Sequence, residues 1–80
     1  MDQNKLIEKK IDRHKGLVEY YCEKIDEVEK RIQNGASQGA DDPDNEYHNL
    51  FLSLLEEKKK LETSRDTEEN IVYNLEKTTP

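Results

Sequence analysis

The chain has 80 residues, of which 40% are charged and 31% apolar, and its formal net charge is −6. A chain of this size forms at most one small domain, whose core rarely contributes more than about 3–5 kcal/mol. So little apolar material argues against a shaped, dry cavity, and we expect no enzymatic activity and no cofactor. Abundant Glu, Lys and Leu with scarce Gly and Pro are typical of coiled coils and long helices.

The first predicted helix covers about residues 3–33, with Asp2 as its N-terminal cap. Residues suited to packing recur in it at alternating spacings of four and three, the heptad pattern of one helix packed on another. This α1 seam consists of Ile7, Ile11, His14, Val18, Tyr21, Ile25, Val28 and Ile32. Gly16 lies mid-helix and costs up to about 1 kcal/mol relative to Ala. Either it marks a point of close packing or the helix merely tolerates a glycine there, and we favour the second interpretation.

The segment NGASQGADDPDN predicts a loop at about residues 34–42. Gly35 suits the C-terminal cap of the first helix. Asp42 suits the N-terminal cap of a second helix, and Pro43 suits its first turn. The carboxylates do not have the spacing of a calcium-binding EF-hand loop, so we predict an acidic surface and no metal site. This surface consists of Asp41, Asp42, Asp44 and Glu46.

The second predicted helix covers about residues 43–77. Its heptad seam, the α2 seam, consists of Tyr47, Phe51, Leu54, Lys58, Leu61, Arg65, Glu68, Val72 and Leu75. Residues 62–70 offer almost nothing apolar, so the helix either breaks near residues 63–67 or continues with an open face. We favour a continuous helix because the two helices then have similar lengths.

The two seams align if the chain folds back on itself. In an antiparallel hairpin whose facing residue numbers sum to 79, Val28 faces Phe51, Ile25 faces Leu54 and His14 faces Arg65. The predicted fold class is therefore all-α: an antiparallel, coiled-coil-like two-helix hairpin. It forms a single domain over residues 1–80 that can dimerise into a four-helix bundle.

Apolar residues near the bend exceed what the hairpin can cover. Leu50, Leu52 and Leu55 lie outside the seam, and with Tyr47 they should form an exposed, contiguous patch. Such patches usually mark an interface. The loop offers only Ala36 and Ala40 to cover them, so we expect Tyr47, Leu50, Leu52 and Leu55 to bind a protein partner, a second copy of the chain, or both.

The residues that most often bind metals are spread along the chain. His14 and Cys22 are about 12 Å apart along a helix at about 1.5 Å per residue, too far to share one zinc ion. His48 lies at the other end of the hairpin. We therefore predict no metal site and interpret Cys22 as a structural thiol.

We predict a non-enzymatic protein-interaction module, a small regulator or inhibitor that binds a partner through a helical apolar face. Small acidic proteins of this kind are often regulators or phage- and virus-encoded antagonists. One alternative is an acidic mimic of nucleic acid that blocks a basic groove. Another is a structural oligomerisation or spacer component.

Direct binding to nucleic acid and to membranes is not expected. Binding nucleic acid requires a basic stripe, and the charge along the chain shows none. No apolar run approaches the roughly 20 residues of a membrane span. The N-terminus lacks the apolar core of a signal peptide, and a single Cys provides no internal disulfide, which together predict a cytoplasmic protein.

Overall fold

The computed structural model describes residues 3–78, which form two α-helices. α1 spans Gln3–Ser37 and α2 spans His48–Thr78. The helices pack against each other in opposite directions and form a rod of 62 × 14 × 13 Å. The predicted all-α helical hairpin is confirmed, while the predicted cap Asp2 lies outside the described residues. Neither described helix has a stretch long and apolar enough to cross a bilayer.

The heptad pattern identifies the packed faces of both helices. Every α1 seam residue is buried or half-buried, and so is every α2 seam residue from Phe51 onward. Ile25 and Val28 are the most deeply buried of them, at 5% and 4% exposure. Burial of an aliphatic side chain of this size contributes about 1.5–3 kcal/mol. Tyr47, the first residue of the predicted α2 seam, is instead 59% exposed because it precedes α2.

α1 continues through Gly35 to Ser37, and the glycine at its C-terminal cap is Gly39, not Gly35 as predicted. The N–H of Gly39 donates to the carbonyl of Ala36 at 3.0 Å, and the N–H of Ala40 donates to that of Gly35 at 2.9 Å. These two bonds form a Schellman motif, which requires a left-handed residue at its centre. Gly39 provides it, with φ of 86°. Gly35 instead lies within the helix, where Phe51 packs against it.

α2 begins five residues later than predicted. The N–H of Asp44 donates to the Asp42 carboxylate at 3.0 Å, and the N–H of Asn45 donates to the Asp42 carbonyl at 2.9 Å. Asp42 and Pro43 therefore start a turn, for which they are as well suited as for a helix start. A second turn follows, in which Asn45 accepts from Tyr47 at 2.8 Å. The connecting loop is thus residues 38–47, not 34–42.

The later bend shifts the two helices relative to each other by one heptad. A Cβ built on Gly35 would lie 3.4 Å from Phe51, a pair whose residue numbers sum to 86. Lys58 pairs with Glu29 at 3.3 Å, which sums to 87. The predicted sum of 79, with Val28 opposite Phe51, is therefore wrong. A shift of seven residues returns each helix to the same face, so the same seams meet.

α2 runs unbroken through the polar stretch at residues 62–70, as favoured over a break. Its half-buried Glu68 accepts a hydrogen bond from Nδ1 of His14, so a polar pair occupies the seam at this point. His14 thus faces a carboxylate and not Arg65, which is turned outward to Asp66. A protonated imidazole would be attracted to Glu68, whereas Arg65 would have repelled it.

The register can be tested with the native thiol of Cys22, because residues 22 and 65 have the same sum, 87, as the observed pair Lys58 and Glu29. With Arg65→Cys, we expect a short bismaleimide to link residues 22 and 65 within one chain. Lys58→Cys is the matched control, because the predicted register would bring residue 58, one heptad away, beside Cys22. The readout is the mass of the linked protein at high dilution. Efficient linking of Lys58→Cys instead of Arg65→Cys would refute the observed register.

The glycines give a second test of the backbone. No atom lies within 4 Å of a Cβ built on Gly16, so Gly16→Ala should raise the free energy of unfolding by up to about 1 kcal/mol. Gly39→Ala places a side chain on a left-handed residue and should lower it by about 1–2 kcal/mol. Urea denaturation followed by circular dichroism measures both. A destabilising Gly16→Ala would show that Gly16 is needed for close packing.

Candidate protein-interaction surface

A groove of about 640 Å³ opens between the helices beside the bend. Half-buried Phe51 and Leu54 and buried Ala40 supply its deeper apolar surface. Tyr47 and Leu50 also line it, and they are the most exposed large apolar residues of residues 3–78, at 59% and 61%. The groove can accept apolar side chains of a second molecule without rearrangement of the hairpin.

The four residues predicted to bind a partner do not form one patch. Tyr47 and Leu50 line the groove at the bend, whereas Leu52 and Leu55 do not. Leu50 and Leu52 are two residues apart and therefore point about 200° apart around the helix. Leu52 and Leu55, at 44% and 41% exposure, lie together on the other flank of α2. The predicted contiguous patch is thus divided into two smaller surfaces on opposite sides of the hairpin.

Each helix has a flank on either side of its seam. Contacts between the helices show which flank of α1 lies on the same side of the hairpin as which flank of α2. The groove at the bend joins Arg31 of α1 and Leu50 of α2 on one side of the hairpin. On the other side, Lys15 of α1 pairs with Glu76 of α2 at 3.9 Å. A second groove, of about 300 Å³, is lined on that side by Glu19 and other residues. Residues at heptad steps share a flank, so the remaining flank residues can be assigned to the two sides.

The side that contains the groove at the bend carries five bases and two acids on its helices, a net charge of +3. We term it the basic side. Its charged residues are Lys10, Arg13, Lys24, Arg31, Lys60, Glu27 and Glu57. Its apolar residues are Leu6, Leu17, Tyr20, Leu50 and Ile71. Basic and apolar side chains therefore alternate along one face of the rod.

The opposite side carries nine acids and three bases on its helices, a net charge of −6. We term it the acidic side. Its acids are Glu8, Asp12, Glu19, Asp26, Glu29, Glu62, Asp66, Glu69 and Glu76, and its bases are Lys5, Lys15 and Lys59. Its large apolar residues are Leu52, Leu55 and Tyr73, all of them exposed.

The charge along the chain shows no basic stripe, whereas the basic side carries five bases and two acids. Summing charge along consecutive segments hid the stripe, because residues 1–34 carry equal numbers of acids and bases. The heptad spacing then places the two signs on different flanks. Grouping the residues by heptad position, and not by segment, would have found this separation in the sequence.

The four acidic residues predicted at the loop are all exposed. Only Glu46 lines the groove at the bend, while Asp42 accepts hydrogen bonds within its own turn. The loop is fastened to α2 by His48, whose Nδ1–H donates to the carbonyl of buried Ala40 at 2.9 Å. The loop carboxylates thus extend the negative charge of the hairpin at one end.

Arg65 shows how polar residues of the seam reach solvent. Its guanidinium donates to Asp66 at 3.1 Å and lies 3.9 Å from Glu69, so its charge is neutralised on the outside of α2. The hydrogen bond to Asp66 raises the pKa of the Arg65 guanidinium above its ordinary value. The long aliphatic stem of Arg65 can then cover part of the seam.

Residues 3–78 contain no group of three or more His, Cys, Asp or Glu side chains arranged to hold a metal ion. Cys22 is a half-buried free thiol on the acidic side of α1. Among the described side chains, no buried nitrogen or oxygen atom lacks a hydrogen-bond partner. The two grooves and the two oppositely charged sides are candidate features for recognition of another molecule.

Comparison of the chain with protein-family models, with curated proteins and with solved structures gives no match.

Proposed function

We propose that the chain is a non-enzymatic protein-interaction module that binds a protein partner through its basic side, beginning at the groove beside the bend. The observation that carries the proposal is the exposure of Tyr47 and Leu50 along a groove whose deeper surface is already apolar. Binding there would make the chain a small regulator or inhibitor that acts by occupying its partner.

The shape of the groove fits an amphipathic helix. An apolar side chain of such a helix can contact Phe51 and Leu54, while its neighbours cover Tyr47 and Leu50. Burial of Leu50 alone would contribute about 1.5–3 kcal/mol. Arg31 at the same groove can pair with an acidic residue of the partner, which would orient the helix.

The test replaces Leu50 with Asp. The substitution removes the apolar contact and places a charge in the interface, so we expect at least a tenfold loss of partner binding, which is about 1.4 kcal/mol. A photo-reactive residue placed at position 47 crosslinks the bound partner in the producing cell. Mass spectrometry then measures the amount of each adduct. The helicity of Leu50→Asp should be unchanged because Leu50 is 61% exposed.

The matched control is Asn49→Asp, which adds the same charge in the same turn at an exposed position facing away from α1. It should leave the adducts unchanged. Equal loss with both variants, or loss with neither, would contradict binding at this groove.

A second candidate, an acidic mimic of nucleic acid, is favoured by the acidic side. Its net charge of −6 and the four loop carboxylates would compete with phosphates for the basic groove of a nucleic-acid-binding protein. Acids along this side recur at heptad steps, about 10.5 Å apart at about 1.5 Å per residue. This candidate ranks second because it does not use the exposed Tyr47 and Leu50.

The acidic mimic predicts a steep dependence on salt. Binding to a basic nucleic-acid-binding protein should weaken at least tenfold between 50 and 200 mM salt, as do phosphate contacts. Changing Glu62, Glu69 and Glu76 to Gln should weaken it further at low salt, whereas Glu23→Gln with Glu56→Gln, on the outward faces, should not. Fluorescence anisotropy with a displaced oligonucleotide measures both effects, and a flat salt response would exclude this candidate.

A further inference from the structure

We infer that the protein partner of the basic side is the acidic side of a second copy, with the hairpins stacked side by side and pointing the same way. This inference rests on the proposed function, since it names the partner of the same surface. It replaces the symmetric four-helix bundle with a repeating contact between two different faces. Three features of the hairpin support it: the charge of the two sides, the heights of their residues and the area of the faces.

Symmetric pairing brings like charges together. Two basic sides would oppose +3 with +3, and two acidic sides would oppose −6 with −6. Like-charge contacts across an interface cost binding energy and suppress the corresponding arrangement. A basic side against an acidic side opposes +3 with −6, so charge favours contact between unlike faces.

When one hairpin is placed over the next without reversal, an offset of two residues brings four unlike and two like charge pairs together, the like pairs being Arg13 with Lys15 and Glu27 with Glu29. Lys10 on the basic side is two residues from Asp12 on the acidic side, and Lys24 is two residues from Asp26. Two residues correspond to about 3 Å along a helix, well within the reach of a lysine side chain. Stacked copies therefore place each of these lysines opposite an aspartate of the neighbour.

α2 repeats the same offset with apolar residues. Leu50 on the basic side is two residues from Leu52 on the acidic side, and Ile71 is two residues from Tyr73. Between them, Glu57 on the basic side is two residues from Lys59 on the acidic side, again with unlike charges. The same stacking thus covers the surface at Leu50 and the separate surface at Leu52 and Leu55 in a single contact.

The faces are large enough for a stable contact. A rod 62 Å long and 13 Å wide presents a face on the order of 800 Å², the area that each partner of a standard interface contributes. Contact between two different faces leaves one free face at each end of a stack. Such assemblies grow into open filaments or close into rings.

The test uses paired charge reversals. The first variant changes Lys10 and Lys24 to Glu, and the second changes Asp12 and Asp26 to Lys. Each variant alone now opposes like charges and should stay monomeric at concentrations where the native chain associates. An equimolar mixture restores unlike charges at the reversed positions of every contact and should associate again. Sedimentation velocity at low salt measures all three samples.

The control variant, Lys9→Glu with Lys30→Glu, makes the same change of charge at exposed positions facing away from α2. It should associate like the native chain, and circular dichroism should show native helicity in every variant. Leu50→Asp and Leu52→Asp should both weaken self-association, because the two residues meet across the contact.

Four results would overturn the inference. One is a native chain that stays monomeric up to millimolar concentration at low salt. Another is association that survives the first reversal, and a third is a mixture that stays monomeric. If the native chain is monomeric and Leu50→Asp still removes adducts with a different protein, the proposed function stands and only the second copy is excluded. The fourth result is binding of a single-stranded oligonucleotide that Lys10→Glu with Lys24→Glu abolishes, which would assign the basic side to nucleic acid instead.

Discussion

The approach of Phe51 to Gly35 determines where every other residue of the hairpin lies. The ring packs on the backbone of α1 at a distance that would leave a Cβ in ordinary contact, 3.4 Å away, and buried Ala40 closes the contact from the loop. The Schellman motif at Gly39 then reverses the chain just beyond it. Because the heptad repeat fits equally well at several offsets, this packing at the bend, and not the seam, selects one register.

The seam could be predicted from the sequence because only its spacing matters. Apolar residues at alternating steps of three and four identify the buried face of each helix whatever it packs against. The register depends on where the bend lies, and there the local signals are ambiguous. Gly35 and Gly39 are each followed by Ala, and Asp42-Pro43 starts a turn as readily as a helix. Tertiary contacts with Phe51 and Ala40 decide between these choices, and the sequence does not show them.

The exposure of the four candidate residues could be predicted from the sequence, but their arrangement on the hairpin could not. Tyr47, Leu50, Leu52 and Leu55 are exposed as expected, since the seam does not need them. Their division between two sides follows from the 100° step of the helix and from the position of α1. α1 covers the seam of α2 and leaves the flank on either side of it open. The same division sorts the charges. A chain whose first 34 residues have no net charge thereby acquires one basic and one acidic side.

A thin core and two complementary sides act together. Only five residues of the described hairpin are buried, at 4–9% exposure, so the isolated rod keeps only a small free energy of folding. A contact that forms only in the folded state stabilises that state in proportion to the logarithm of the partner concentration. Each side contributes most to such a contact when both helices are in place, because Arg31 and Leu50 come from different helices. Partial unfolding would separate them, so any partner that contacts both residues would couple its binding to the folding of the hairpin.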